Sequence, residues 1–108
     1  MSDAAALAQV FKALAVESRV RIVRLLQVRP LCVNALAARL GVTPAAVSQH
    51  LRLLASAGVV RGRRQGYHVH YEINAATVRR WRKLIDGLLE PCAEPPPFRT
   101  GRGRPRTR

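Results

Sequence analysis

The fold is decided by residues 41–60, GVTPAAVSQHLRLLASAGVV. Thr43 is a typical helix N-cap, and Pro44 follows at the first helical position, where a missing N–H costs nothing. The residues after it carry an apolar stripe at helical spacing, formed by Val47, Leu51 and Leu54. The stretch therefore predicts an amphipathic helix from Pro44 to about Ser56 that starts directly after a tight turn.

Three further helices are predicted before this turn. The first starts after Ser2 or Asp3 and has an apolar stripe made of Leu7, Val10, Phe11 and Leu14. The second is SRVRIVRLLQ, with Val20, Val23 and Leu26 expected to face the core. The third is VNALAARLG, with Gly41 as its C-terminal residue.

The hydrophobic period changes from 3.6 to 2 after Gly58. VVRGRR and YHVHYEI alternate on either side of a QG turn, which predicts a two-stranded hairpin with Tyr67, Val69, Tyr71 and Ile73 on one face. A last helix is expected from Ala75 to about Leu89. The fold class is therefore mainly α with a β-hairpin wing, a winged helix-turn-helix of about five helices and two strands in the order α-α-α-α-β-β-α. We expect residues 1–90 to form this domain and residues 91–108 to be a disordered Pro/Arg-rich basic tail.

The charge balance points to a polyanionic partner. The chain has 19 Lys+Arg against 6 Asp+Glu, a net charge of +13, which favours nucleic acid over an anionic membrane. No apolar run is long enough for a membrane span, and the N-terminus lacks the pattern of a secretory signal, so the expected compartment is the cytoplasm. Two distant cysteines do not resemble a secreted disulfide scaffold.

The outward face of the helix after the turn carries the side chains that can read DNA. These candidates are Thr43, Ala45, Ser48, Gln49 and Arg52. Gln can pair with adenine, Arg with guanine or phosphate, and an alanine can touch a thymine methyl group. Arg61, Arg63 and Arg64 in the hairpin are candidates for phosphate or minor-groove contacts. The simpler alternatives are a solvated polar face and arginines that serve solubility.

The stretches FKALAVESRVRIVRLL and LAARLGVTPAAVSQHLRLLASAGVVRGRRQGYHVHYEIN resemble the ArsR/SmtB family of bacterial repressors, over roughly Val10 to Asn74. The resemblance implies a homodimer that binds double-stranded DNA at a palindromic operator and is released by an inducer. It also implies that the first and last helices form the interface. The expected interface residues are Leu7, Phe11, Val78, Trp81, Ile85 and Leu88, for which burial within one protomer is the alternative.

The family also suggests where an inducer would be sensed. Its metalloid-type members carry Cys-x-Cys near the third helix; Cys32 matches the first cysteine, but Asn34 stands in place of the second. The Asp and His pairs that other members place on the last helix are absent. Cys32 and Cys92 remain as candidates for a redox, reactive-sulfur, soft-metal or metalloid response, and two ordinary cysteines are the alternative. His68 and His70 could chelate an ion or simply be wing residues near DNA. No cofactor is required for the fold.

The tail contains Arg102-Gly103-Arg104-Pro105, which resembles the core of an AT-hook. Extended arginines can enter a narrow A·T minor groove, and the alternative is a basic tail that contacts phosphates without preference. Two other classes of function are alternatives to a regulator with an inducer. One is an architectural DNA-binding protein without an inducer; the other, an enzyme, is disfavoured because no nucleophile–base pair, carboxylate dyad or phosphate loop is present.

Overall fold

A computed structural model describes residues 3–91 of the chain, and this part forms five helices and one small antiparallel sheet of three strands. The helices are α1 (Asp3–Leu14), α2 (Glu17–Val28), α3 (Val33–Leu40), α4 (Pro44–Ser56) and α5 (Ala75–Leu89). The strands are β1 (Leu31–Cys32), β2 (Val60–Gln65) and β3 (His68–Ile73). The predicted winged helix-turn-helix architecture is confirmed, with one strand more than expected.

The core lies where α2, α3 and α4 meet the base of the sheet. Its most completely buried side chains are Ile22, Leu36, Val47, Leu51, Leu54, Val59 and Val60. The stripe predicted for α4 is confirmed, because Val47, Leu51 and Leu54 are all 0–1% exposed. The prediction for Val20 was wrong: it is 38% exposed, and Ile22 is buried from α2 instead. Apolar and arginine residues alternate in this part of α2, so the sequence pattern is compatible with either Val20 or Ile22 facing the core. Packing against the rest of the protein selects Ile22.

The turn between α3 and α4 is built as the sequence predicts. Gly41 has a φ of +71°, a left-handed conformation that favours glycine, and its N–H donates to the carbonyl oxygen of Ala37 at 2.9 Å. Thr43 then caps α4, with its hydroxyl oxygen accepting from the backbone N–H of Ala46 at 3.1 Å. These two local features end α3 at Leu40 and start α4 at Pro44.

The sheet has the strand order β1-β3-β2, so the prediction of two strands was incomplete. The added strand is only two residues long, and Leu31 pairs with Tyr71 while Cys32 pairs with His70. A two-residue segment has no detectable period, and its partner is forty residues away along the chain. Nothing local in the sequence can therefore reveal it.

The wing is shaped by Gly62 and by the turn at Gly66. A Cβ atom on Gly62 would lie 3.0 Å from a methyl group of Val69 and 3.2 Å from the Tyr71 ring, so the ring packs directly over the glycine. Tyr67, which was predicted in the second strand on the same face as Val69, Tyr71 and Ile73, precedes β3 in the turn and is 99% exposed. The predicted QG turn was wrong by one position, because Gln65 belongs to β2 and pairs with His68, which leaves Gly66 and Tyr67 as the two turn residues.

Candidate nucleic-acid interface

The outward face of α4 carries short and polar side chains in a row. Ala45, Ser48, Gln49 and Arg52 are all exposed, while the opposite stripe of the same helix is buried. Within residues 3–91, no hydrogen bond or ion pair engages the side chains of Gln49 and Arg52. The face is therefore free to donate and accept hydrogen bonds at base edges in a major groove, which is wide enough for a helix.

Thr43 is exposed at the N-terminus of α4. Its hydroxyl oxygen accepts the capping hydrogen bond from Ala46, so the hydroxyl hydrogen remains available to donate. The first N–H groups of a helix, together with its dipole, favour an anion at this end. A hydroxyl donor at the start of a helix is therefore suited to an anionic acceptor such as a phosphate.

Two of the three wing arginines share one carboxylate. Arg61 Nε lies 2.9 Å from Glu72 Oε2, and a terminal nitrogen of Arg63 lies 3.4 Å from the same oxygen. The antiparallel register explains the first pair, because Arg61 stands directly opposite Glu72. The hydrogen bond from Arg61 is the main reason why the pKa of Glu72 is lowered from its ordinary value, and the charge of Arg63 adds to the effect.

Arg64 lies on the other face of the wing. It stands opposite Val69 in the register, it is exposed, and it makes no ion pair with any of the described residues. The exposed Tyr67 ring lies beyond it at the tip, where Gly66 has a φ of +65°. The alternating pattern of the sequence placed Tyr67 in a strand and therefore did not identify it as an exposed ring at the tip of the wing. A Gly-Tyr pair at a hairpin turn is the signal that could have found it.

Cys32 is half-buried and stands opposite His70 in the β1–β3 pair. Directly opposed residues share a face, with Cβ atoms about 4.5–5.5 Å apart. The Nδ1 atom of His70 is buried and has no hydrogen-bond partner, and the His68 ring centroid lies 6.4 Å from that of His70. No group of three or more potential metal ligands converges within residues 3–91. Cys92, the other predicted thiol, lies outside the described residues, as do Arg102 and Arg104.

The residues expected at a dimer interface lie on α1 and α5, which contact each other. Leu7, Val78, Trp81 and Ile85 are half-buried, whereas Phe11 is 45% and Leu88 51% exposed. Val78 and Trp81 pack partly against the core of the protomer. On α5, therefore, some apolar side chains pack inside the protomer and others are exposed.

No helix within the described residues is long and apolar enough to cross a membrane.

Comparison with known proteins matches the fold and the sequence to one family. Residues 17–61 fit the family model described as bacterial regulatory protein, arsR family. The chain is 37% identical over 91 residues to the transcriptional repressor SmtB homolog of Synechocystis, covering 83% of this chain and 69% of that protein. It is 39% identical over 79 residues to the arsenical resistance operon repressor of Escherichia coli, covering 72% and 68% of the two chains.

A solved structure agrees with these relatives. The homodimeric winged helix-turn-helix DNA-binding domain of Mb0332 from Mycobacterium bovis superposes with a TM-score of 0.64 at 32% identity, covering 79% of this chain and 82% of that one. The curated relatives are named as transcriptional repressors, which confirms the prediction that the chain is not an enzyme. The resemblance seen in the sequence is confirmed as well, and the chain belongs to the ArsR family of bacterial regulatory proteins.

Proposed function

We propose that the protein is a homodimeric, sequence-specific transcriptional repressor that binds a palindromic operator and is released from it by an inducer. The observation that carries this proposal is the outward face of α4, where Gln49 and Arg52 are exposed and have no hydrogen-bond or ion-pair partner among residues 3–91, while the opposite stripe of the helix is buried. The SmtB homolog and the arsenical resistance repressor are named as repressors, and the Mycobacterium bovis domain is described as homodimeric and DNA-binding.

Dimerisation through α1 and α5 is the part of the proposal that supplies specificity. One recognition helix contacts only a few base pairs, and a two-fold dimer doubles the sequence that is read. The exposed apolar side chains of Phe11 and Leu88 would be covered by the partner's equivalent helices. Leu7, Val78, Trp81 and Ile85 would complete the interface from the half-buried side of the same two helices.

Phosphate contacts would come from three places: Thr43 at the start of α4, the wing arginines, and the tail. Arg102 and Arg104 belong to the proposed basic tail of residues 91–108, and they would add counterion release and a steeper salt dependence. Deleting residues 95–108 tests this contribution. We expect weaker binding and a flatter salt slope, and unchanged values for both would contradict it.

The proposed inducer response runs through Cys32. Its pairing with His70 joins the thiol to the central strand of the wing, so a modified or metal-bound Cys32 would disturb β3 directly. Cys92 would act as the second thiol, for a disulfide or polysulfide bridge or for a soft metal or metalloid ion. The Nδ1 atom of His70 is buried and has no hydrogen-bond partner among the described residues. This observation favours an interaction between His70 and a modified or metal-bound Cys32, because buried polar atoms are normally paired.

An architectural DNA-binding protein without an inducer is the second candidate, and the net charge of +13 favours it. Gel shifts separate the two, using DNA from upstream of the protein's own gene and a scrambled duplex of the same length. We expect a clear preference for the first duplex that Gln49→Ala weakens. We also expect release by arsenite, a soft metal ion, peroxide or polysulfide that Cys32→Ser abolishes.

Equal affinity for both duplexes would favour the architectural candidate and contradict the repressor. A sequence preference that none of the four additions changes would contradict only the thiol response. The Cys92→Ser variant shows whether the second thiol is required. His70→Asn tests whether His70 takes part in the response, and His68→Asn is its control because the two histidines lie on the same strand.

A further inference from the structure

The wing contains a small cluster in which one acid receives two arginines. Arg61 and Arg63 both approach the same carboxylate oxygen of Glu72, at 2.9 and 3.4 Å. The side chains of the arginines are 59% and 61% exposed, whereas that of Glu72 is 19% exposed. The guanidinium groups thus lie at the surface of the wing, with the carboxylate beneath them.

Glu72 stands out in the sequence, because it is the only acidic residue between Glu17 and Asp86. It lies within the surface that the proposed function presents to DNA, where every other charged side chain of the wing is an arginine. A carboxylate takes up the guanidinium donors with the same charge and much the same geometry as a phosphate group. An acid at this position therefore occupies the groups that a DNA backbone would use.

We propose that Glu72 is an intramolecular substitute for a DNA phosphate, which holds Arg61 and Arg63 on the wing and weakens binding to DNA of unrelated sequence. The inference rests on the proposed function, because it requires the wing to face DNA. Phosphate contacts supply nearly all of the affinity for unrelated sequences, and each arginine held by Glu72 must leave it to make such a contact. Ion pairs at a protein surface are weak enough for this exchange to occur.

The effect on an operator should be smaller than the effect on unrelated DNA. Base contacts from α4 fix the orientation of the protein on its operator, so only arginines that this orientation brings near a phosphate gain from release. On unrelated DNA the protein can turn to make the largest number of phosphate contacts. Glu72 therefore raises the ratio between specific and non-specific binding.

Arg64 provides an internal contrast. It projects from the opposite face of the wing and has no ion pair within residues 3–91. Its contact with phosphate, if the wing reaches DNA, needs no exchange with a carboxylate. The wing thus has two arginines that are paired with Glu72 and one that is not. Variants of these arginines can therefore distinguish the effect of the ion pairs from the general effect of one negative charge.

The first experiment measures binding of a scrambled duplex by fluorescence anisotropy over a series of KCl concentrations, for Glu72→Gln and for Glu90→Gln. Both variants change the net charge equally, but Glu90 is exposed at the end of α5 and away from the wing. Glu72→Gln should bind about 3–10-fold more tightly at low salt, with the slope of log K against log[salt] steeper by about one. Glu90→Gln should change affinity less than about twofold.

The second experiment repeats Glu72→Gln in two backgrounds. In Arg61→Gln/Arg63→Gln the gain should vanish, because no held arginine remains to be released; in Arg64→Gln it should persist. Thermal unfolding checks that Glu72→Gln folds, and Glu72→Ala serves as a second variant if the glutamine disturbs the wing. Both variants should tighten binding to the scrambled duplex more than to DNA that the parent prefers.

Equal effects of Glu72→Gln and Glu90→Gln in a parent that prefers its own upstream DNA would overturn the inference and leave the proposed function standing. Weaker binding by Glu72→Gln would also overturn it, since Glu72 would then position the arginines for DNA. A parent that binds neither duplex would overturn the proposed function and the inference together.

Discussion

The helices α4 and α5 are both amphipathic, but they bury their apolar faces to very different degrees. In α4 the side chains of Val47, Leu51 and Leu54 are 0–1% exposed. In α5, among the described residues, only Thr77 is fully buried, and Leu88 and Leu89 are 51% and 72% exposed. Within residues 3–91, the apolar face of α4 is covered, whereas the apolar side chains at the end of α5 remain exposed.

This difference in burial indicates that two helices with the same amphipathic pattern have different roles. A helix that reads base edges must be rigid, because a displaced donor loses its hydrogen bond, and complete burial of one face provides that rigidity. A helix that forms the interface between two copies must expose apolar surface in the isolated protomer. We therefore expect α4 to serve the core and DNA and α5 to meet the partner subunit, and five variants test that expectation.

Leu51→Ala tests the burial of α4 and should have the largest effect. Removing a fully buried leucine should lower the free energy of unfolding by about 2–5 kcal/mol. Leu88→Ala is the control, and as an exposed leucine it should cost less than about 1 kcal/mol within a protomer. Urea unfolding at low protein concentration measures both. Equal costs would show that α5 belongs to the core as much as α4 does.

Leu88→Asp tests the open edge of α5. A charge at the proposed interface should shift the protein toward monomer in analytical ultracentrifugation and weaken operator binding on the order of 100-fold, because one half-site is lost. Val28→Asp is matched to it, since Val28 is 73% exposed but lies at the end of α2. If both variants remain equally dimeric, the interface lies elsewhere.

Gln49→Ala and Arg52→Ala test the outward face of α4. Each should lower discrimination against a wrong base by about 1–3 kcal/mol, because each removes a side chain able to pair with a base edge. Their thermal unfolding should match that of the parent, since both side chains are exposed and unpaired within residues 3–91. A loss of stability instead of selectivity would mean that this face has a structural role.

Thr43→Ala tests the start of α4. Loss of the 3.1 Å hydrogen bond from Ala46 should cost about 1 kcal/mol of stability, measured by thermal unfolding. Thr43→Ser keeps the hydroxyl oxygen and should restore most of it. Full stability in the alanine variant would show that the cap does not fix α4.

The acid dependence of the wing should show the smallest effect. The pKa of Glu72 is lowered by Arg61 and Arg63, so its ion pairs stabilise the folded state above the pKa of the unfolded chain. That contribution is lost as the pH falls through the lower pKa of the folded state. The difference in melting temperature between the parent and Glu72→Gln should be constant from pH 7 to about 5 and shrink below the ordinary value of 4.5. A difference that already shrinks between pH 8 and 6 would contradict this.

The sequence predicted α4 well and the sheet less well, for physical reasons. The start and stripe of α4 depend on residues within a few positions of one another, such as the Thr43 cap and the glycine of the preceding turn. The pairs of Cys32 with His70 and of Arg61 with Glu72 depend on strand register, which is set by contacts eleven to forty residues apart. The polar face of α4 was accordingly predicted residue by residue, whereas the two partners on β3 were missed.

The central claim, a two-fold dimer that reads sequence through α4, is tested most directly by selecting DNA from a random library with the full chain. The account predicts enrichment of an inverted repeat whose half-sites are centred about 10–10.5 base pairs, or a multiple of that, apart. It also predicts that Gln49→Ala relaxes the same position in both halves. Enrichment of no sequence, or of a single unrepeated half-site, would contradict it.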